Sequence, residues 1–251
     1  MSQKSEDAYG HEMYAYWLSL NNPKISPPHE IIEREDGYIE ASHSTPKMYF
    51  AAYEDWLETE KQAIQQAVGR ILDVGCGAGR VGLYLQEKGH EIVGIDSSPL
   101  ALEVCRLRGF ANVHLLSITQ ISSALGIFDT IVMFGNNFGL FGNPKRARFL
   151  LNRFFKITSS HGKILATSNN IYKTENVSHL AYLQYNRQRG RMAGQIRFRV
   201  RYHNLKSPYF DYLMVSQDEM AGILKGTGWH ITKFFEHSDY PMYTALIEKS
   251  R

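Results

Sequence analysis

Cysteine is scarce: Cys76 and Cys105 are the only two in 251 residues. A disulfide framework is thereby excluded, and a reducing cytoplasm is the expected setting. Long apolar runs are missing too. Glycine or asparagine interrupts each one far short of the ~20 residues a membrane span needs, so no membrane association is expected. The polar start, MSQKSEDAYG, leads into no apolar stretch of the kind a secretory signal carries. The ten histidines include no HExxH pair and no Cys/His cluster, so no metal site is expected.

What is present is an ordinary globular balance, with 43% hydrophobic and 21% charged residues, enough for one α/β domain with additions. The net charge of +3 is unevenly spread: residues 1–60 hold twelve Asp/Glu and four Lys/Arg, leaving 24 basic and 13 acidic side chains in the rest. Such asymmetry suits two solvated faces, or an acidic cover over a basic body.

From Arg70 onward short apolar runs alternate with helical patterns. RILDVG, HEIVGID, NVHLL, DTIVMF and GKILATS read as strands, with helices over AGRVGLYLQEKG, SSPLALEVCRLRG and PKRARFLLNRFFKI. This alternation implies right-handed βαβ units and a doubly wound, mostly parallel sheet. A helix (SQDEMAGILKGTG) and two strands (WHITKFFE, YTALIEK) close the chain. The HSDYPM link between those strands is too short for a crossover, so the last of the seven strands is predicted antiparallel. Two segments stand outside the pattern. Residues 1–60, rich in aromatics and cut by Pro23, Pro27, Pro28 and Pro46, are expected to form a helical cap on a Rossmann-like domain spanning 61–251. Within that domain, residues 171–215 are an insertion predicted to contain a β-hairpin.

The stretch ILDVGCGAGR places Gly75, Gly77 and Gly79 at a strand-to-helix turn. Glycines there permit positive φ and bring a ligand close to unpaired helix N–H groups. Asp96 ends the next strand 21 residues after Gly75, where a short carboxylate can accept from both hydroxyls of a ribose. A nicotinamide or flavin site would read G-x-G-x-x-G/A, but the sixth position here is Arg80. Instead the spacing is G-x-G-x-G, with Asp73 two residues ahead. A carboxylate at that edge disfavours a pyrophosphate and favours a ligand bearing an amino group and a sulfonium.

LDVGCGAGR followed by GIDSSPLAL resembles the first two motifs of class I S-adenosylmethionine-dependent methyltransferases. The resemblance covers residues 65–250 at the level of fold. More loosely, IIEREDGYI, GNNFGL and NRQRGRMAGQIRFRVRY resemble a group of small bacterial methyltransferases of unassigned substrate. It implies that Asp73 and the backbone of Gly75, Cys76, Gly77 and Gly79 hold the methionine part of S-adenosylmethionine. Asp96 would hold the ribose, with Ser97 flanking the adenine. Ser117 and Ile118 match the segment that often offers the adenine an acidic residue; Ser117 departs from that pattern. Cys76 fits as a small side chain.

Methyl transfer from an activated sulfonium is largely a matter of positioning, and a base is needed only where the acceptor loses a proton. Gly135, Asn136 and Asn137 follow the fourth strand, at the edge where ligands bind in such sheets. An amide there can orient an acceptor, and an Asn-rich turn is the plain alternative. The N-P-P-Y-type motif that DNA and some RNA or protein N-methyltransferases place here to grip a planar amine is absent. Tyr49 stands where many small-molecule methyltransferases place an aromatic over the cofactor; Arg34 and Tyr38 are lid candidates. Arg197 and Arg199 alternate with Ile196, Phe198 and Val200, and no Asp or Glu occurs from Asn176 to Phe210. That face suits an anionic substrate or a nucleic-acid backbone, or a pairing with the acidic N-terminal segment.

The reading is a cytoplasmic methyltransferase using S-adenosylmethionine, releasing S-adenosylhomocysteine, and acting on a small molecule, with Asn137 and Tyr49 as catalytic candidates. Two alternatives stand beside it: an RNA methyltransferase using the arginine strand, and a non-catalytic protein that binds the cofactor and a partner.

Overall fold

A computed structural model describes residues 6–42 and 45–250. Seven strands form the main sheet: β3 (Ile71–Val74), β4 (Ile92–Asp96), β5 (Val113–Leu115), β6 (Phe128–Met133), β7 (Thr158–Asn169), β11 (Trp229–Phe235) and β12 (Met242–Lys249). Their order is β11-β12-β7-β6-β3-β4-β5. β3 pairs with β6, β6 with β7 and β4 with β5 in parallel, while β12 runs antiparallel to both β7 and β11. The expected seven-stranded sheet with a reversed last strand is therefore present. All four side chains of β3 are buried, as a strand covered on both faces requires.

The helices begin where local chemistry starts them. α4 (Arg80–Glu87) follows Gly79, whose φ of 82° is a left-handed conformation that glycine adopts freely. α5 (Pro99–Leu107) has Pro99 in its first turn and Ser98 as N-cap, its side chain accepting from the Ala101 N–H. α6 (Pro144–Lys156) repeats the device with Asn143, and α8 (Gln217–Leu224) opens on a Ser216/Glu219 capping box.

A second sheet, not expected from the sequence, joins strands of the N-terminal segment to the predicted hairpin of the insertion. The N-terminal segment supplies α1 (Ala8–Asn21), β1 (Glu30–Arg34), β2 (Ile39–Ser42), α2 (Thr45–Phe50) and then α3 (Glu58–Ile64). The insertion supplies α7 (Val177–Gln188), which the sequence reading missed, then β8 (Gln195–Tyr202), β9 (Leu205–Lys206) and β10 (Phe210–Leu213). β8 turns into β9 through His203 and pairs antiparallel with β1, giving the order β10-β8-β1-β2 with β9 on β8.

The described residues divide into two units, one of residues 6–42, 45–56, 75–117 and 197–210, the other of residues 57–74, 118–196 and 211–250. The first contains a core of Met13, Ala78, Ala101 and Val104, against which Tyr9, Tyr14, Trp17, Tyr49 and Phe50 pack. A buried side chain the size of Met13 contributes roughly 1.5–3 kcal/mol. In the second, Trp229, Tyr243, Ala245, Leu246 and Ile247 are buried on β11 and β12. Among the described residues no helix is long and apolar enough to cross a membrane.

Candidate functional site

In the first unit the glycine loop is folded by its own backbone. The Gly75 and Cys76 N–H groups both donate to the Ile95 carbonyl, at 2.9 and 3.0 Å, and Gly79 N–H closes a tight turn on Cys76 O at 2.8 Å. Gly77 has φ +53°, and a Cβ placed on it would lie 2.8 Å from the Tyr9 hydroxyl. Any side chain here would enter the space between the loop and Tyr9. Cys76 is buried. Its sulfur stands 3.0 Å from where a Cβ on Gly94 would lie, a place for a small residue.

Asp96 at the end of β4 binds this loop. Its Oδ2 accepts from Gly77 N–H at 2.9 Å and its Oδ1 from Ser98 N–H at 2.9 Å. Each oxygen keeps lone-pair capacity for a further donor. Burial pushes the Asp96 carboxyl up, opposed by the Ser98, Gly77 and Ser97 backbone N–H groups. Asp96 remains partly open to solvent, Ser97 is exposed and Ser117 is half-buried. Asp7 ties α1 to the same region: its carboxylate caps α1 at Gly10 N–H and accepts from the Ser98 hydroxyl (2.8 Å) and Leu100 N–H (3.2 Å).

Two aromatic rings and two carboxylates continue from Tyr9. Its ring meets Tyr49 edge-on, 5.5 Å between centroids. The Tyr49 hydroxyl donates to Glu30 Oε1 at 3.0 Å. Burial, then the Glu30 charge, holds that hydroxyl protonated far above the usual tyrosine range. Glu12, on the turn of α1 after Tyr9, is wholly buried, and neither of its carboxylate oxygens has a hydrogen-bond partner among the described residues. Burial, reinforced by the Glu30 charge, pushes Glu12 up to about 9.

The arginine strand is engaged at close range. Arg199 and Glu33 are directly opposed on β8 and β1, and the guanidinium reaches Glu33 Oε1 at 2.6 Å. Arg201 reaches Oε2 of the same carboxylate at 3.3 Å, and the Tyr209 hydroxyl also donates to Oε1, at 3.0 Å. Arg197 is half-buried and gives its carbonyl to Glu35 N–H. Arg34 is buried, forms a fork with both oxygens of Asp36, and lies over the Tyr38 ring. Of the alternatives left open for the arginines, pairing with the acidic N-terminal segment is the arrangement seen at Arg199.

The second unit holds the remaining candidates. Asp73 is 2% exposed within β3. Asn137 uses its side-chain N–H to bind Val74 O, at the end of the same strand, at 3.0 Å. Asn136 sits at φ +70° with its carbonyl held by the Tyr212 hydroxyl at 2.7 Å, and its side-chain Oδ1 is buried without a partner among the described residues. The Gly135 N–H donates to Glu60 Oε1 at 2.8 Å, and that oxygen also accepts from Thr167 at 3.3 Å. Ile118 is half-buried at the start of a short helical turn. Tyr9, Glu12, Glu30 and Glu60 were not singled out from sequence. The one available signal was a lone glutamate inside the aromatic-rich stretch YGHEMYAYW.

Comparison with known proteins agrees with this geometry. Residues 71–162 match the family described as "Methyltransferase domain". The 2-heptyl-1-hydroxyquinolin-4(1H)-one methyltransferase of Mycobacteroides abscessus is 37% identical over 70 residues, which is 26% of this chain and 31% of that protein. The putative methyltransferase YqeM of Bacillus subtilis is 32% identical over 90 residues, 34% of this chain and 36% of YqeM. The matches thus span about a third of those relatives. A methyltransferase from Bacteroides fragilis, solved with S-adenosyl-L-homocysteine, superposes with a TM-score of 0.80 at 24% identity, covering 99% of this chain and 97% of its own. The CcbJ methyltransferase of Streptomyces caelestis gives 0.58 at 12% identity, covering 81% of this chain and 98% of its own. These structural likenesses establish the fold.

Proposed function

We propose that this chain, a class I S-adenosylmethionine-dependent methyltransferase by its domain and fold, moves the methyl group of that cofactor to a small-molecule acceptor. The observation that carries the cofactor assignment is the Gly77 N–H bound to Asp96, with the Tyr9 hydroxyl 2.8 Å from where a Cβ on that glycine would lie. The bound cofactor supplies a methyl group activated on a sulfonium. The loop backbone from Gly75 to Gly79 cradles the methionine part, the free lone pairs of Asp96 take the ribose hydroxyls, and Ser97 and Ser117 flank the adenine.

Tyr9 and Tyr49 exclude water from the reacting centre. Tyr49 acts through a protonated hydroxyl, because Glu30 and burial keep the phenolate from forming. Asn137 is a positioning residue that fixes the Val74 carbonyl.

The small-molecule reading draws support from named relatives, one for a hydroxyquinolinone and others for ubiquinone biosynthesis. It is tested by incubating purified protein with methyl-labelled S-adenosylmethionine and cell extract, then ultrafiltering. Label in new species in the filtrate supports it. Label retained on macromolecules and released by ribonuclease overturns it.

A further inference from the structure

Asp7 holds the start of two helices with one carboxylate. Its Oδ1 accepts from Gly10 N–H at 2.8 Å and so caps α1. Its Oδ2 accepts from the Ser98 hydroxyl at 2.8 Å and from Leu100 N–H at 3.2 Å, at the start of α5. Capping α1 requires only the first of these bonds. The other two join α1 to α5, and the positive end of each helix favours the charge placed between them.

Gly10 makes room for this junction. It lies in the first turn of α1, where glycine is a poor helix former, and a Cβ on it would collide with both the Asp7 carboxylate and the Ser98 hydroxyl. Close approach has taken precedence over helix propensity. Further along α1, Met13 packs with Ala101 and Val104 of α5 and with Ala78 of the glycine loop.

Ser98 carries the connection to that loop. Its hydroxyl donates to Asp7 and accepts from Ala101 N–H at 3.0 Å, while its own N–H donates to Asp96 Oδ1 at 2.9 Å. Asp96 Oδ2 in turn accepts from Gly77 N–H at 2.9 Å. Two residues after Asp7, the Tyr9 hydroxyl returns to Gly77, 2.8 Å from where a Cβ would lie. Asp7, Ser98, Asp96, Gly77 and Tyr9 thus form a closed ring of contacts, completed by the backbone of α1.

Resting on the cofactor placement proposed above, we infer that Asp7 is a positioning residue for S-adenosylmethionine: by latching α1 to Ser98 it fixes both the Asp96 carboxylate and the Tyr9 hydroxyl beside the loop. Binding and latching are then reciprocal. A ligand held by Asp96 and Gly77 strengthens the hold on α1, and an intact latch strengthens ligand binding by the same factor.

Asp7→Asn separates the two halves of the latch. Its amide oxygen can still cap α1 at Gly10, while the amide nitrogen has no lone pair for the Ser98 hydroxyl or Leu100 N–H. S-adenosylhomocysteine is titrated by calorimetry into full-length wild type and Asp7→Asn. Amide hydrogen exchange of residues 8–21 is followed by mass spectrometry with and without saturating ligand. Wild type should show exchange in that segment slowed about fivefold or more by the ligand. Asp7→Asn should bind about tenfold more weakly, the loss of one charge-assisted hydrogen bond, and should lose most of that protection.

A capping role alone would lower the stability of the variant in urea and leave ligand affinity and ligand-dependent protection unchanged; that result overturns the inference. So does exchange in residues 8–21 of wild type that is the same with and without bound ligand. If Asp7→Asn does not fold, Gly10→Ala serves, because it favours α1 as a helix yet forces it away from Ser98. It should weaken binding and protection in the same way. Failure of wild type to bind S-adenosylhomocysteine overturns the cofactor placement and this inference with it, whereas tight binding that neither variant weakens overturns the inference alone.

Discussion

The Tyr9 hydroxyl lies 2.8 Å from where a Cβ on Gly77 would stand. Gly77 also holds φ +53° and gives its N–H to Asp96. Space, backbone conformation and hydrogen bonding therefore converge on one residue. Gly77→Ala should weaken S-adenosylhomocysteine binding by tenfold or more and cost roughly 1–3 kcal/mol of stability. Titration calorimetry and urea unfolding check both. Tyr9→Phe in the Gly77→Ala background should recover part of the affinity and none of the cost of the backbone conformation.

Glu12 gives the free protein a characteristic pH dependence. Its folded value, about 9, is above the ordinary 4.5, so between those limits the folded state binds more protons than the unfolded state. The stability contributed by a protonated Glu12 is fully present below about pH 4.5 and is lost as pH rises through about 9. Thermal melts of the ligand-free protein should show that decline, and Glu12→Gln should flatten it. An unchanged slope in the variant would remove Glu12 as the cause.

Glu60 supports the loop that carries Asn136 and Asn137. It is 1% exposed, and Oε1 accepts from both Gly135 N–H and Thr167. Glu60→Ala takes away the acceptor for a backbone N–H and should cost about 2–3 kcal/mol in urea unfolding. Glu60→Gln keeps an oxygen at that position and should cost less than half as much. Thr167 also bonds Thr244, which limits its share of the loss.

The opposed pair Glu33 and Arg199 bears on nucleic-acid binding. The Arg199 guanidinium is already held by a carboxylate at 2.6 Å, and Arg201 sits on the other oxygen, so Glu33 offsets one of their two positive charges and occupies the donors a phosphate backbone would use. Binding of a single-stranded RNA of mixed sequence, followed by fluorescence anisotropy, should be weak and should strengthen in Glu33→Gln. Tight wild-type binding abolished by Arg199→Ala would reverse this conclusion.

Much of this was legible in the sequence because it is local. The run from Ile71 to Asp96 carries strand, turn, helix and strand in order. The reversed β12 followed from a link too short for a crossover. What was not legible depends on distant pairing. Arg199 and Glu33 stand 166 positions apart, so nothing near either reveals that β8 lies against β1. The burial of Glu12 likewise depends on Glu30 and Tyr49, which approach it from other elements. The helix α7 was missed because NVSHLAYLQYNRQ mixes polar and aromatic residues on every face, leaving no clear apolar stripe.

The most direct measurement is calorimetric titration of S-adenosylhomocysteine into wild type and Asp96→Ala. Asp96 anchors Gly77 N–H and, in the proposed function, takes the ribose hydroxyls, so removing it should lower affinity by about a hundredfold, the loss of charge-assisted hydrogen bonds worth roughly 2–3 kcal/mol. Wild-type binding with that loss in the variant is the expected result. Affinity unchanged in a folded Asp96→Ala protein would contradict the placement of the cofactor on this loop.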